Sequence, residues 1–132
     1  MVECQTIFLS GPIDSPVAYR WREELRSANN FGDLEFAYLD PEAGYQSAEI
    51  ASETVSMLQE CNGVIAHYEP DNDQAQTACE LLMAKRFELP VVVWTDRYTG
   101  TLSALNPWWH YTATAFQQTG RGSIETVHDL AE

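Results

Sequence analysis

The chain has 132 residues, 45% of them hydrophobic, which suits one domain built around a single core. Twenty acidic residues stand against seven basic ones, and the formal net charge of −13 argues against nucleic acids and anionic membranes as partners. The sequence has no apolar run as long as a membrane span, and its amino terminus enters a strand without a basic flank. We therefore expect a cytoplasmic protein without a secretion signal.

The acidic excess comes with a single lysine, Lys85. This composition resembles that of halophilic proteins, whose acidic surfaces keep the chain hydrated in concentrated salt, where self-repulsion is screened. An ordinary acidic mesophilic protein is the alternative.

Strands and helices are predicted to alternate along the chain. The first half predicts a strand at Gln5–Ser10, a helix at 17–29, a strand at 34–39 and a helix at 47–59. A buried strand at 64–68, a helix at about 74–87 and a buried strand at Val91–Trp94 follow. The pattern then weakens to a short helix within 102–109 that Pro107 interrupts, a strand at 112–116, and a helix at 123–131 capped by Ser123.

This order predicts an α/β fold with one domain over residues 1–132. We expect a doubly wound, flavodoxin- or Rossmann-like sheet of five parallel strands in the order 2-1-3-4-5, with helices on both faces. Ligands of such sheets bind outside the carboxyl ends of the strands. The loop after the third strand should therefore bring Asp71, Asp73 and Glu80 to a crevice.

Carboxylates at that edge suggest glycosidic chemistry. A pair of carboxylates can cleave a glycosidic bond, one acting as nucleophile and the other as acid. Glu80 is predicted in the first turn of its helix, where the helix dipole would keep it ionised and suited to be the nucleophile. Acidic residues occur throughout this chain, so spacing alone does not single out one of them.

The turn after the first strand is a weaker candidate for a binding site. Ser10 and Gly11 permit close approach of a ligand to the backbone, but a plain turn explains them equally well. The turn carries neither GxGxxG nor a Walker lysine, which disfavours a dinucleotide or ATP phosphate site. In the following helix, Arg20 or Arg22 can face the crevice and hold a carboxylate, hydroxyl or phosphate. Surface ion pairs with the neighbouring glutamates are the alternative.

Metal and serine-nucleophile chemistries are disfavoured. The histidines and cysteines show no HExxH or CxxC spacing, and no GxSxG elbow is present. We expect the three cysteines to be small, mostly buried thiols and His67 to be a buried strand residue. The residues concerned are Cys4, Cys61, Cys79, His67, His110 and His128.

Three segments together resemble the nucleoside 2-deoxyribosyltransferase family, which includes the 2′-deoxynucleoside 5′-monophosphate N-glycosidases. IFLSGPID at 7–14, followed by YRWREEL, is similar to the family's first strand, turn and helix start. Residues 53–93 resemble its acidic residue, helix, strand, acidic loop and glutamate-bearing helix. TGTLSAL at 99–105 resembles a loop that supplies a serine to a neighbouring subunit's phosphate site in the monophosphate hydrolases.

The resemblance implies an enzyme that cleaves or exchanges the N-glycosidic bond of a 2′-deoxynucleoside or its 5′-monophosphate. Glu80 matches the nucleophile that forms a covalent glycosyl intermediate, and no metal or organic cofactor is needed. Asp73 matches, within one residue, an acidic loop position that helps to bind the base or sugar. Glu53 falls where the family has an aspartate near the sugar and base, and a shift of one residue would place Thr54 there instead.

The resemblance also implies further binding residues and a homodimer or larger homo-oligomer. Phe8 occupies an aromatic position of the first strand, where its ring can stack on a base. Ser103 matches the intersubunit serine, and Gln74 stands where the hydrolases place a phosphate-binding serine. Trp108 and Trp109 can belong to a subunit interface, with the core as the alternative.

Two departures from the family lie around the proposed nucleophile. Gln76 and Leu82 stand where the family keeps glycines. We expect Gln76 to narrow the approach to Glu80 and Leu82 to change how the helix packs on the sheet. A non-catalytic nucleotide-binding or sensing domain on the same fold is therefore the alternative function.

Overall fold

A computed structural model describes residues 4–11, 17–39, 47–68, 75–95 and 107–131. The strands are β1 Gln5–Ser10, β2 Leu34–Ala37, β3 Gly63–His67, β4 Val91–Trp94 and β5 Ala115–Gln117. The helices are α1 Val17–Ala28, α2 Ser47–Glu60, α3 Ala75–Arg86, α4 Pro107–Thr112 and α5 Gly120–Leu130. All neighbouring strands are parallel and their order is β2-β1-β3-β4-β5, which confirms the predicted sheet.

Alternate residues of β1 belong to two separate core layers. Ile7 and Leu9 pack in the layer that includes residues of α1 and α5, whereas Phe8 packs in the layer that includes residues of α2, α3 and α4. Strands β3 and β4 are buried along their whole length, as expected for strands covered on both faces. Because side chains alternate along a strand, Ser10 lies on the same face as Phe8, under α3.

The structure corrects the predicted elements around α4. Pro107 is the first residue of α4 and not an interruption of a helix, because the first turn does not use the backbone N–H that proline lacks. Thr112, predicted to open the last strand, ends α4 instead, and its hydroxyl donates to the Trp108 carbonyl at 2.7 Å. Residues 102–106 of the predicted helix lie outside the described residues. No helix in the described ranges is long and apolar enough to cross a membrane.

Helix α5 begins three residues earlier than predicted. It starts at Gly120, and Thr119 is its N-cap, with a hydroxyl that accepts from the Gly122 N–H at 3.0 Å. Ser123, the predicted cap, donates its hydroxyl to the Thr119 carbonyl from within the first turn. Threonine and serine both favour the N-cap position. The sequence therefore predicts a capped helix here but does not distinguish Thr119 from Ser123 as the cap.

Two expectations about burial need correction. Cys61 is buried, but Cys4 and Cys79 are exposed, and all three are free thiols. Trp109 is fully buried in the core, whereas Trp108 is 54% exposed. Trp109 therefore belongs to the core, and a role of Trp108 in a subunit interface stays a prediction.

Gly11, the residue after β1, has no side chain and so leaves room for the buried indole of Trp21. A Cβ atom at this position would lie 2.7 Å from Cζ2 of Trp21. We expect Gly11→Ala to lower the free energy of unfolding by about 1–3 kcal/mol, because the buried indole must shift to make room. Urea denaturation followed by tryptophan fluorescence measures the change. Gly32→Ala is the control, since no atom lies within 4 Å of the added Cβ. Equal losses in both variants would contradict this explanation.

Candidate functional site

The centre of the site is a buried carboxyl at the end of the sheet. Glu80 extends from α3 and is 7% exposed, and its Oε1 accepts a hydrogen bond from the fully buried Ser10 hydroxyl at 2.6 Å. Ser10 is the last residue of β1 and pairs with Ala66 of β3. Glu80 therefore lies at the carboxyl ends of two central strands, where open α/β sheets bind their ligands.

A cavity of about 410 Å³ opens between α2 and α3 next to this carboxyl. Its volume lies within the range of about 300–1,000 Å³ typical of small-molecule sites. The α3 wall is one stripe of the helix, since its residues recur at three- and four-residue spacing. The lining residues are Ile50, Ala51, Thr54 and Val55 of α2 with Gln76, Cys79, Glu80 and Met83 of α3. The walls are mainly apolar, with Glu80 as the single charged side chain among these residues.

Burial raises the pKa of Glu80 from 4.5 to about 7. The hydrogen bonds from Ser10 and Gln76 and the positive charge of Arg22 act in the opposite direction but do not offset the loss of solvation. The expectation that the helix dipole keeps Glu80 ionised is wrong. Helix α3 begins at Ala75, so Glu80 lies beyond the first turn, where the dipole has little effect.

Arg22 is the arginine beside the site. It is 2% exposed, its Nη2 donates to the Gly11 carbonyl at 3.1 Å, and its guanidinium lies 4.4 Å from the centre of the Trp21 ring. Arg20, the other candidate, is exposed. The two positions lie on opposite sides of the helix, because two residues correspond to about 200° of rotation. Of the two arginines, Arg22 is therefore the one beside the site, and a role in binding a ligand stays a prediction.

Two further predicted residues do not face the cavity. Phe8 is 1% exposed and its ring is enclosed in the core under α2 and α3, so the expected stacking on a base is wrong. Glu53 is exposed and does not line the cavity, whereas its neighbour Thr54 is 5% exposed and does. The Thr54 Oγ1 is buried and has no hydrogen-bond partner among the described residues. The cavity is therefore lined by Thr54, the alternative position that a shift of one residue allows, and not by Glu53.

The two departures from the family have different consequences. Gln76 is exposed and lines the cavity, and a hydrogen bond from its side chain lowers the pKa of Glu80. That it narrows the approach to Glu80 stays a prediction. Leu82 is 43% exposed, and the expectation that it alters packing on the sheet is wrong. Four predicted site residues lie outside the described residues, and their roles stay predictions. They are Asp71, Asp73, Gln74 and Ser103.

Sequence reasoning missed part of the lining that helical periodicity could have found. Counting three and four residues from Glu80 along α3 gives Gln76 and Met83, and Cys79 lies on the same side. To identify Thr54 as a lining residue, one must know which side of α2 faces α3. The weak apolar stripe of α2 does not determine this.

His67 is a buried strand residue, as expected. His67 is 8% exposed at the end of β3, with its ring 5.1 Å from that of Trp21 and 4.6 Å from that of Trp94. In the part of the chain that the structure describes, no group of three or more histidine, cysteine or acidic residues could hold a metal ion.

Several solved structures share this fold. The 2-deoxyribosyltransferase of Bacillus psychrosaccharolyticus superposes with a TM-score of 0.70 at 12% identity, over 90% of this chain and 90% of that one. A CMP N-glycosidase of Clostridium botulinum gives 0.63 at 12% identity, over 94% of this chain and 98% of that one. Both share the doubly wound architecture that the order of strands and helices in the sequence predicts.

The same architecture occurs in proteins with other activities. The signal receiver domain of the response regulator NarL from Mycobacterium tuberculosis gives a TM-score of 0.58 at 16% identity, over 98% of each chain. At these identities the likeness shows the fold alone, and function must be argued from the site. No family model matches the chain, and no curated protein matches it by sequence.

The raised pKa of Glu80 makes the stability of the protein depend on pH. The folded protein holds the proton up to about pH 7, while the unfolded chain loses it near 4.5, so stability falls as the pH rises between these values. The full difference corresponds to about 3 kcal/mol. We therefore expect Glu80→Gln to gain about this much stability relative to the wild type between pH 4 and pH 8, measured by urea denaturation. Glu53→Gln, an exposed control, should show a difference within about 0.5 kcal/mol. A pH-independent effect of Glu80→Gln would contradict the assignment.

Proposed function

We propose that this chain is an N-glycosidic-bond enzyme of the nucleoside 2-deoxyribosyltransferase type, acting on a 2′-deoxynucleoside or its 5′-monophosphate. The observation that carries the proposal is the buried Glu80 carboxyl, oriented by Ser10, beside a cavity of small-molecule size at the carboxyl edge of the sheet. The fold shared with a 2-deoxyribosyltransferase and a CMP N-glycosidase supports it.

In the proposed reaction the ionised Glu80 attacks C1′ of the deoxyribose. A bond forms between a carboxylate oxygen and C1′ while the bond from C1′ to the base nitrogen breaks, and its electron pair leaves with the nucleobase. The base gains a proton from solvent or from an acidic neighbour. Water or a second base then attacks C1′ of the glycosyl ester and releases the Glu80 carboxylate.

The surroundings of Glu80 fit this role. The Ser10 hydroxyl fixes one carboxylate oxygen, which limits the orientations that the nucleophile can adopt. Burial makes the carboxylate poorly solvated and therefore more reactive when it is ionised. A pKa of about 7 means that the ionised, nucleophilic form of Glu80 is accessible near neutral pH.

The apolar lining residues fit the faces of the base. Ile50, Val55 and Met83 give the cavity apolar walls on both helices, which suit the faces of a planar ring. The proposed ligand therefore lies between α2 and α3, with C1′ at Glu80.

A second function is a nucleotide-binding or sensing domain without turnover. Gln76 favours it, because this side chain both hydrogen-bonds Glu80 and lines the cavity where a glycine would leave more room. In that case the cavity would hold a nucleoside or nucleotide with C1′ too far from the carboxylate for attack.

Incubation with deoxyinosine or deoxyinosine monophosphate in high salt, with chromatography for free hypoxanthine, separates the two functions. We expect release of the base by the wild type and a loss of at least about a thousandfold in kcat/KM for Glu80→Gln. The kcat/KM should rise with pH through about 7, because the attacking carboxylate must be ionised.

Glu53→Gln is the matched control and should retain activity, since the Glu53 side chain is exposed and outside the cavity lining. Tight binding without base release would favour the sensing domain. If the protein neither binds these substrates nor releases base from them, both functions are contradicted.

The unpartnered Thr54 hydroxyl gives a prediction about stability. We expect Thr54→Val to keep or raise the thermal stability of the protein, because it removes a buried polar group that has no described hydrogen-bond partner. Thr112→Val is the control. Its hydroxyl is bonded to the Trp108 carbonyl, so stability should fall. Thermal melts measure both variants, and an equal loss of stability in the two would contradict this explanation.

A further inference from the structure

The turn after β1 is held by two consecutive residues of α1. Gly11 follows Ser10 and lies against Trp21, since a Cβ atom at Gly11 would be 2.7 Å from the indole. The Gly11 carbonyl accepts a hydrogen bond from Nη2 of Arg22 at 3.1 Å. One residue earlier, the Ser10 hydroxyl donates to Oε1 of Glu80 at 2.6 Å. Helix α1 therefore holds the end of the strand from which Ser10 reaches the carboxyl.

Arg22 is well suited to hold this turn. Its side chain is buried, and its guanidinium lies 4.4 Å from the centre of the Trp21 ring and 5.6 Å from the centre of the Tyr38 ring. A planar guanidinium packed on aromatic rings has few other orientations, and its hydrogen bond to the carbonyl is charge-assisted. The side chain is therefore a rigid connection between α1 and the end of β1.

The positive charge of Arg22 also acts on Glu80. Burying a guanidinium costs stability unless negative charge lies nearby. Burial raises the pKa of Glu80, whereas the hydrogen bonds from Ser10 and Gln76 and the charge of Arg22 lower it. Of these three groups only Arg22 carries a charge, so it is the cation among them that stabilises the carboxylate.

Other titratable and charged groups around these two side chains come from several elements. His67 lies at the end of β3, and the hydroxyl of Tyr38, beyond the end of β2, accepts a hydrogen bond from Arg26 of α1. Cys79 precedes Glu80 in α3, and the α2 residues that line the cavity are uncharged. An imidazole can change its charge near neutral pH, so an experiment must follow the Glu80 carboxyl itself.

We propose that Arg22 is a positioning residue for the nucleophile of the proposed reaction. By holding the Gly11 carbonyl it keeps the Ser10 hydroxyl directed at the carboxylate, and its positive charge stabilises the ionised form that attacks C1′. The proposal rests on the proposed function for the attack on C1′, but not for the effect of Arg22 on Glu80. Because Arg22 does not touch substrate in this role, its loss should change kcat and the pH dependence more than KM.

The effect of the charge is tested by titrating Glu80 in the folded protein without substrate. NMR of isotope-labelled glutamate follows the side-chain carboxyls, and the spectrum of Glu80→Gln identifies the Glu80 signal. We expect the midpoint of this titration to rise by about half a pH unit or more in Arg22→Gln and Arg22→Met, because the carboxylate loses a nearby positive charge. Two neutral variants are used because one of them can fail to fold. Arg22→Lys keeps the charge, so its midpoint should stay close to that of the wild type.

The positioning effect is tested by the kinetics of base release from deoxyinosine. We expect Arg22→Lys to lower kcat about tenfold and to change KM less than about twofold, because an ammonium does not hold the turn as the planar guanidinium does. The pH midpoint of kcat/KM should be unchanged in Arg22→Lys and raised in the neutral variants. Ser10→Ala combined with Arg22→Lys should cost less than the product of the two single losses, since both act on one hydrogen bond.

Arg26→Gln is the matched control, because it removes a positive charge from α1 one turn further along. The Arg26 side chain is 59% exposed and pairs with Glu23 at 3.5 Å, so the Glu80 titration and the kinetics should stay those of the wild type. An equal shift of the Glu80 midpoint in Arg26→Gln, or no shift in the neutral Arg22 variants, would overturn the effect of the charge. A raised KM with unchanged kcat in Arg22→Lys would overturn the positioning role and indicate that Arg22 contacts the substrate.

The titration without substrate separates this proposal from the proposed function. If the wild type releases no base and the Glu80 midpoint shifts in the neutral variants, the enzymatic function fails and the effect of Arg22 on Glu80 stands. If the wild type releases base and no Arg22 variant changes the midpoint or kcat, only the role of Arg22 fails. If no base is released and the midpoint does not shift, both are overturned.

Discussion

The hydrogen bond from Ser10 to Glu80 is the interaction on which the arrangement of the site depends. It joins the end of the central strand β1 to helix α3 at 2.6 Å and keeps a carboxyl in a setting that raises its pKa to about 7. The sheet, the two helices and the cavity all meet at this point. A carboxyl held in this way reduces the stability of the folded protein above neutral pH, where it must be ionised. Such a cost in stability is typical of functional sites, where a reactive group is held in an unfavourable environment.

The fold could be predicted from the sequence because its strands are strongly patterned. β1 and β4 have the predicted limits, and continuous apolar runs in β3 and β4 indicate burial on both faces. The C-terminal third was less accurate, since α4 is one and a half turns long and β5 has three residues. Short elements of this kind are determined by tertiary packing, and Trp109 enters the core although its neighbour Trp108 does not.

The site was predicted less well because it depends on distances between elements. Position after a buried strand brought Glu80 to the crevice together with Asp71 and Asp73, and only the resemblance to the deoxyribosyltransferase family singled it out. Two other choices stayed open between nearby positions of a helix, Glu53 or Thr54 and Arg20 or Arg22, and only burial in the folded chain distinguishes them. One residue corresponds to about 100° of rotation, so a shift of one or two residues exchanges the buried side of a helix for the exposed one. The pKa of Glu80 was also inaccessible, because burial and neighbouring donors are properties of the folded chain.

The central claim is that Glu80 forms a covalent bond to the sugar, and rapid chemical quenching of a working reaction tests it most directly. Peptide mass spectrometry of the quenched enzyme should show one deoxyribosyl group on the peptide that contains Glu80, appearing before free base reaches its steady rate. Its signal should decay when an acceptor base is supplied. Base release with an unmodified Glu80 peptide, or with the sugar attached to another residue, would contradict the account.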